Sequence, residues 1–295
     1  MADALYIRKP TLPNGDWQAR LPMYAAASGD AQAWSELREA FGPAVAFPDL
    51  RQAASELWRL RQGGMYVEME SHPTLRPTHP HASGRDVLLF DPWDDGHTRS
   101  RPKDMVVFKR SLADEPGDNE VAYPAWFRRA TLDLTCAPAP LAARPVVTFC
   151  GVAHRPALRR EFIERMEAAP DLDCRVIRRE KFCHPDHTGF LDSLRQAHFV
   201  LCPPGVGRFS YRLYETLAAG RIPVVPKVGH TVPEAVRTHS VIAFEDTPAG
   251  LLNFWHTRVR PEPERVHARN RAAWIRYASP LGALLWMAEE VRKRR

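Results

Sequence analysis

Cysteine is scarce in this sequence, and no two cysteines have the CxxC spacing of metal sites and redox motifs. The five cysteines among the 295 residues are Cys136, Cys150, Cys174, Cys183 and Cys202. An odd number without regular spacing argues against a disulfide framework, and three of them lie in or beside apolar, strand-like runs. We therefore expect reduced, buried thiols, which are typical of a reducing compartment.

Long apolar segments are missing at the amino terminus. The first residues, MADALYIRKPTLPNGDW, contain no run that would serve as a signal peptide or a membrane anchor. Together with the cysteine usage, this predicts a cytoplasmic protein. Internal repeats and low-complexity tracts are absent as well, which excludes solenoid and fibrous classes.

The overall composition is that of an ordinary globular protein, with 44% hydrophobic and 26% charged residues. The length suits two domains of roughly 140 residues each. The formal net charge of +6 suits anionic partners such as nucleotide-sugars, nucleic acid or an anionic membrane face, without choosing among them.

Hydrophobic periodicity predicts short strands alternating with helices. Predicted strands cover 4–7, 44–47, 65–69, 86–90, 105–108, 120–123, 146–150, 174–177 and 240–244. Predicted helices cover 29–41, 49–61, 156–168 and 188–197, and helical patterns continue from 248 to the end. In the helix 156–168, Pro156 suits the first position, and Leu158, Phe162, Ile163 and Met166 form the expected buried stripe. This alternation is typical of an α/β fold with a parallel, doubly wound sheet.

A proline- and alanine-rich segment, residues 133–145, is the best linker candidate. It predicts an amino-terminal domain over residues 1–140 and a carboxyl-terminal domain over 141–275. A last helix with a basic tail follows at 276–295.

The most informative stretch is HFVLCPPGVGRFSYRLYETLAAGRIPVVP, residues 198–226. An apolar strand enters a proline- and glycine-rich loop, the loop opens a helix, and a second apolar strand follows Gly220. Ligands of parallel α/β sheets bind beyond the carboxyl ends of strands, where helix N-termini favour anions. The stretch therefore predicts a site for a phosphate-bearing ligand. It is not a Walker A loop, because no Lys-Ser or Lys-Thr pair follows the glycines, and it lacks the third glycine of a dinucleotide fingerprint.

Five positions in this stretch suit that chemistry. Gly205 and Gly207 let backbone amides approach a ligand, and Ser210 stands where a helix N-cap belongs. Arg212 brings a guanidinium suited to a diphosphate, and Glu215 brings a carboxylate that accepts two sugar hydroxyls. The alternative is purely structural: a capping serine, an i,i+3 surface pair and a tight turn. A capping box does not explain Glu215, because its acidic position would be 213, which is leucine.

The segment FVLCPPGVGRFSYRLYETLAAGRIPVV resembles the nucleotide-sugar-binding signature of exostosin-type glycosyltransferases, and VVTFCGVAHRPALRR is similar to the segment that opens their donor domain. The resemblance implies a GT-B fold, in which two Rossmann-like domains face each other across a cleft, with the acceptor on the amino-terminal domain and the donor on the carboxyl-terminal one. It also implies that Arg212 holds the donor diphosphate and Glu215 the ribose. The predicted donor-binding residues are Gly151, Arg155, Arg159, Pro204, Gly205, Gly207, Ser210, Tyr211, Arg212 and Glu215. For Arg159 and its neighbour Arg160, the alternative is a solvated helix face.

The same resemblance implies an inverting transfer, which needs a general base on the acceptor domain. Asp94 and Asp95 lie in the acidic turn of the strand–turn segment GRDVLLFDPWDDG, and Glu70 lies on one face of the strand pattern MYVEMES. These three are the predicted catalytic residues, with Asp91 and Glu68 as further candidates. Acidic residues in turns also serve as caps or solvated groups.

No metal ion or cofactor is expected. Three histidines, His72, His79 and His81, and the cluster of Cys183, His184 and His187 lack the spacing of a compact ligand set. Basic residues do not interleave with an aromatic platform, so nucleic-acid binding is not expected.

The resulting hypothesis is a glycosyltransferase that moves a sugar from a nucleoside-diphosphate donor, with UDP-sugar as the expected donor, to a glycan or glycolipid hydroxyl. The alternative is a non-catalytic nucleotide- or anion-binding protein that retains the donor fold. The final helix, SPLGALLWMAEEVRKRR, either packs on its own protein or makes a peripheral contact with an anionic membrane.

Overall fold

A computed structural model describes the chain at residues 6–7, 52, 66–67, 88–91, 106–109, 118, 120–122, 136–153, 156–180, 188–205 and 208–293. The chain divides into two compact units. The first comprises Met1–Arg129, Thr231–Pro233 and Arg276–Arg295, and the second comprises Ala130–His230 and Glu234–Ile275. The assignment of acceptor and donor roles to two domains stays a prediction.

The first unit contains short parallel strands. Strand β1 (Tyr6–Ile7) pairs with β2 (Tyr66–Val67), and β3 (Leu88–Asp91), β4 (Val106–Lys109) and β5 (Glu120–Ala122) pair in that order. Each lies within or overlaps a predicted strand. The predicted strand at 44–47 and the helix at 29–41 lie outside the described residues. In the predicted helix at 49–61, Gln52 alone is described, and it is helical.

The second unit is built on a sheet of parallel strands. The strands are β6 (Val146–Gly151), β7 (Asp173–Arg178), β8 (Phe199–Leu201), β9 (Ile222–Val225) and β10 (Ala243–Phe244). Their spatial order is β10-β9-β8-β6-β7, so the chain steps outward from β6 to β7 and then returns to the other side for β8. This reversal between β6 and β8 is the topological switch point, the place where ligands of open α/β sheets bind.

Helices follow the strands of this unit and confirm the α/β class with a Rossmann-like parallel sheet. They are α1 (Ala157–Glu167), α2 (Thr188–Gln196), α3 (Tyr211–Ala218), α4 (Glu234–His239), α5 (Pro248–Phe254) and α6 (Pro263–Ala273). Helix α5 continues into a π-helical turn at Trp255–Val259, and α6 continues into another at Trp274–Ala278.

Helix α1 packs on the sheet through Phe162, Ile163 and Met166, which are buried in the same core as Phe149 of β6. Leu158 was predicted to join this stripe, but the prediction is wrong, because 75% of its surface is exposed. It stands in the first turn, before the part of the helix that packs on the sheet. Pro156 occupies the N-cap position with extended backbone and not the first helical position.

Buried polar side chains join the helices to the sheet of the second unit. Arg221 donates to the carbonyls of Leu194 (2.9 Å) and Arg195 (2.6 Å), which belong to the last turn of α2. Asn270 of α6 is fully buried and donates to the carbonyls of Arg221 and Val241, while its side-chain oxygen accepts from the Val241 amide at 2.6 Å.

The carboxyl-terminal helix α7 (Pro280–Lys293) belongs to the first unit. Leu284, Met287 and Ala288 of its apolar face are buried, and Trp286 meets the Phe108 ring edge-on with centroids 6.0 Å apart. Most of this face is therefore already covered by protein, which favours self-packing over membrane contact. Among the described residues, every helix falls short of the length or apolarity that a bilayer crossing requires.

Candidate functional site

The candidate site lies at the switch point of the second unit, where the carboxyl ends of β6 and β8 diverge. Gly151 ends β6 with a φ of +152°, a conformation that favours glycine. After β8, Pro203 is buried and Pro204 and Gly205 are half-buried, and the Gly205 amide donates to the Phe209 carbonyl at 3.2 Å. The amino-terminal ends of α1 and α3 follow these two loops, so the predicted strand–loop–helix unit is confirmed.

Arg212, in the first turn of α3, lies against the end of β6. Its Nη2 donates to the Cys150 carbonyl at 2.8 Å, and its Cζ lies 4.4 Å from the centroid of the Phe149 ring. A β-carbon at Gly151 would lie 2.6 Å from Nη2, which is closer than such contacts allow. Glycine is therefore required at position 151 for the guanidinium to take this place.

Arg159, in α1, lies between the two loops. Its Nε and Nη2 donate to the Pro204 carbonyl at 3.0 and 2.8 Å, and its Nη1 donates to the Val152 carbonyl at 3.0 Å. The alternative of a solvated helix face is thus wrong for Arg159, although the neighbouring Arg160 is exposed. Residues three and four positions apart lie on the same side of a helix, and Phe162 and Ile163 face the core. Arg159 therefore lies on the core side of α1, from which its side chain reaches the crevice.

The two guanidinium groups lie close enough to repel each other. Burial, and next the nearby charge of Arg212, lower the pKa of Arg159 to about 10. Within the described parts of the chain, neither arginine forms a salt bridge to a carboxylate, and Nε of Arg212 is buried without a hydrogen-bond partner. An anion placed here would offset the repulsion between the two groups.

Ser210 occupies the N-cap position of α3 as predicted, with extended backbone, but its side chain makes no capping hydrogen bond. Tyr211 meets the Phe209 ring edge-on with centroids 4.9 Å apart. Glu215 and Arg212 both lie near the buried thiol of Cys202: burial raises the pKa of Cys202 to about 12, with Arg212 acting to lower it and Glu215 to raise it. Arg212 and Glu215 therefore share one region of the site.

The structure brings together many of the predicted donor-binding residues. These are Gly151, Arg159, Pro204, Gly205, Ser210, Tyr211, Arg212 and Glu215. Arg155 and Gly207 lie outside the described residues, as do the predicted catalytic residues Asp94, Asp95 and Glu70 and the further candidate Glu68. Asp91 ends β3 in the first unit.

No group of three His, Cys, Asp or Glu residues with the arrangement of a metal site occurs in the described ranges. The histidines at 72, 79 and 81 and the cluster from 183 to 187 lie outside those ranges. The described cysteines, Cys136, Cys150, Cys174 and Cys202, are free thiols.

Sequence reasoning missed three groups that set the site geometry: the Phe149 ring, the Cys150 carbonyl and the Val152 carbonyl. Phe149 looks like any apolar strand residue, and carbonyl groups have no sequence signature. The signal that pointed to this place was Gly151, since a glycine at the end of a buried strand often marks close approach of another group.

Residues 144–252 match a family model described as the RXYLT1 C-terminal domain, a glycosyltransferase-related domain. This match covers the sheet and the candidate site, and it is not a match to the exostosin family. A search of curated proteins by sequence finds no match.

Three solved structures resemble the fold. A glycosyltransferase from Rickettsia africae has 11% identity and a TM-score of 0.47 over 97% of this chain and 98% of that one. The pneumococcal O-GlcNAc transferase GtfA, solved with UDP and GlcNAc, has 10% identity and a TM-score of 0.36 over 83% and 60%. AviGT4, a glycosyltransferase of avilamycin A biosynthesis, has 13% identity and a TM-score of 0.32 over 84% and 89%. At these TM-scores the likeness does not assign a substrate.

Proposed function

We propose that the protein is a glycosyltransferase that binds a nucleoside-diphosphate sugar at the switch point of its second unit. The observation that carries the proposal is the Arg212 guanidinium, which has no salt bridge to a described carboxylate, has a buried Nε without a hydrogen-bond partner, and lies in the first turn of α3 beside the switch point. The match of residues 144–252 to a glycosyltransferase-related domain supports the same reading.

In this proposal Arg212 receives the diphosphate. Of the five N–H groups of an arginine, Arg212 gives one from Nη2 to the Cys150 carbonyl, which leaves donors for phosphate oxygens. The Phe149 ring keeps the guanidinium plane in place, so little side-chain entropy is lost when the ligand binds. Glu215 accepts hydrogen bonds from the ribose, and the Gly205 and Gly207 loop lets the backbone approach the donor.

The proposed reaction is an inverting transfer in a GT-B enzyme related to the exostosin type, with UDP-sugar as the expected donor and a glycan or glycolipid as the acceptor. Asp94, Asp95 or Glu70 would deprotonate the acceptor hydroxyl, and the leaving diphosphate would be stabilised by the positive charge of Arg212. Because the Arg212 guanidinium supplies that charge, we expect transfer to proceed without an essential metal ion.

Thermal shift with UDP, GDP, CMP and their sugars tests the donor site, since a ligand that binds the native state raises the melting temperature. We expect a rise with UDP and UDP-sugars that grows with ligand concentration. No shift with any nucleotide would contradict the proposal. Binding without any transfer to glycan acceptors would instead favour the alternative of a non-catalytic nucleotide-binding protein.

A further inference from the structure

Arg159 differs from Arg212 in how its hydrogen-bond donors are used. Three of its N–H groups are already given to two backbone carbonyls, Pro204 on the loop after β8 and Val152 on the loop after β6. Its contacts at 2.8–3.0 Å have the lengths of well-formed hydrogen bonds. The side chain therefore joins the two loops that separate at the switch point.

This connection lies at the switch point of the sheet, between the loops that follow β6 and β8. Strands β6 and β8 are neighbours in the sheet, but the chain leaves β6 toward β7 and leaves β8 toward β9, on opposite sides of the pair. The sheet hydrogen bonds between β6 and β8 therefore do not extend to the loops that follow them. The half-buried guanidinium spans the gap. A β-carbon at Gly205 would lie 3.4 Å from Nη2 of Arg159, so this loop also fits closely around the guanidinium.

We propose that Arg159 is a positioning residue, which sets the spacing of the two loops of the donor crevice through the Val152 and Pro204 carbonyls and does not itself contact the diphosphate. The inference rests on the proposed function for its effect on donor binding. The connection between the loops is made by atoms of the chain alone, so it is testable without any ligand.

Substituting Arg159 by lysine or by glutamine distinguishes a role through charge from a role through geometry. Lysine keeps the positive charge, but its single ammonium group cannot reproduce the planar fork that spans two carbonyls. If Arg159 acts through charge near the phosphates, Arg159→Lys should bind nucleotide like the wild type. If it acts through geometry, Arg159→Lys and Arg159→Gln should be similarly impaired. Arg160→Gln, an exposed position one residue away, is the matched control for loss of one charge from α1.

The first measurement is hydrogen–deuterium exchange of the ligand-free, full-length protein. We expect faster exchange at the Gly205 amide and across 151–153 in Arg159→Gln and Arg159→Lys, and wild-type exchange in Arg160→Gln. Wild-type exchange in the two Arg159 variants would overturn the proposed connection. This result does not depend on whether the protein binds a nucleotide.

The second measurement is calorimetry with UMP and UDP at a temperature well below unfolding. We expect both Arg159 variants to bind each nucleotide about ten-fold more weakly, by nearly the same factor for UMP and UDP, because a displaced loop affects both. A loss found only with UDP would show direct contact with the β-phosphate, and full rescue by lysine would show a charge effect; either result would overturn the inference. If wild-type protein binds neither nucleotide, the proposed function fails while the exchange experiment still tests the connection.

Discussion

Gly151 and Arg212 fit each other so closely that a β-carbon at position 151 would lie 2.6 Å from Nη2 of the arginine. The glycine has a positive φ, and the arginine lies over the Phe149 ring. The end of strand β6 and the first turn of α3 therefore form one unit of the site.

The first prediction concerns Gly151→Ala. We expect the methyl group to displace the Arg212 guanidinium and to weaken UDP binding about ten-fold or more, measured by calorimetry. Backbone strain should also lower the free energy of unfolding by about 1–3 kcal/mol. Gly229→Ala is the control, because Gly229 also has a positive φ of +79° but no atom lies near its missing β-carbon. It should lose stability without losing UDP affinity, and equal loss of affinity in both variants would contradict the argument.

The second prediction compares Arg212→Ala with Glu215→Ala. Removing Arg212 should weaken UDP binding more than removing Glu215, because it leaves diphosphate charge unpaired. We expect a loss of about 2 kcal/mol or more for Arg212 and about 1 kcal/mol for Glu215, the energies of charge-assisted and ordinary hydrogen bonds. Titration calorimetry with UDP measures both. Equal affinity in the wild type and the two variants would refute the assignment of both residues.

The third prediction concerns the general base. Asp94→Asn, Asp95→Asn and Glu70→Gln should be compared for sugar transfer and for UDP binding. Loss of the base should reduce turnover by about 10²–10⁴-fold and leave UDP affinity unchanged, because the base acts on the acceptor. If a variant that also lacks Asp91 and Glu68 keeps full turnover, the inverting mechanism is wrong.

The fourth prediction concerns Asn270→Ala. Its fully buried side chain accepts a hydrogen bond from the Val241 amide and donates to the carbonyls of Arg221 and Val241. Leaving these groups unpaired should lower the free energy of unfolding by about 2–4 kcal/mol, measured by urea denaturation. Asn253→Ala, at an exposed position of α5, should change it by less than about 0.5 kcal/mol. Similar values for the two variants would show that the Asn270 contacts contribute little.

The fifth prediction concerns acid stability. His198 is buried: its Nδ1 accepts from the Val146 amide at 3.0 Å, and its Nε2 lies 2.8 Å from the Pro140 carbonyl. Burial lowers the pKa of His198, although the Pro140 carbonyl opposes the effect. The unfolded chain then binds more protons than the folded one, so the free energy of unfolding should fall as the pH decreases below about 6.5.

Urea denaturation at several pH values between neutral and mildly acidic measures this dependence. His198→Gln should show a shallower decrease than the wild type, whereas the exposed His256→Gln should keep the wild-type slope. His267, whose pKa is also lowered by burial, contributes in the same direction to the slope that remains in His198→Gln. An unchanged slope in His198→Gln would contradict the role of its neutral form.

Local sequence signals were sufficient for most elements of the second unit. The predicted strand at 174–177 lies inside the observed β7 (Asp173–Arg178), and the predicted helix at 188–197 differs from α2 (Thr188–Gln196) by one residue. Apolar periodicity and helix- or strand-breaking residues act over a few positions, so helices and strands can be predicted from them in the sequence alone. The Leu158 error arose because periodicity tells which face of a helix is apolar, but not where along the helix the sheet ends.

The sequence by itself determined that a strand, a glycine-containing loop and a helix carrying Arg212 and Glu215 follow one another, and from that order it predicted an anion-binding site. Only the tertiary structure decided that Arg159 joins two loops and that Arg212 lies over the Phe149 ring and donates to the Cys150 carbonyl. These contacts connect segments far apart in the chain, and they arise from the strand order that places β6 beside β8. Strand order is a property of the packed sheet, so no local pattern of residues could have shown it.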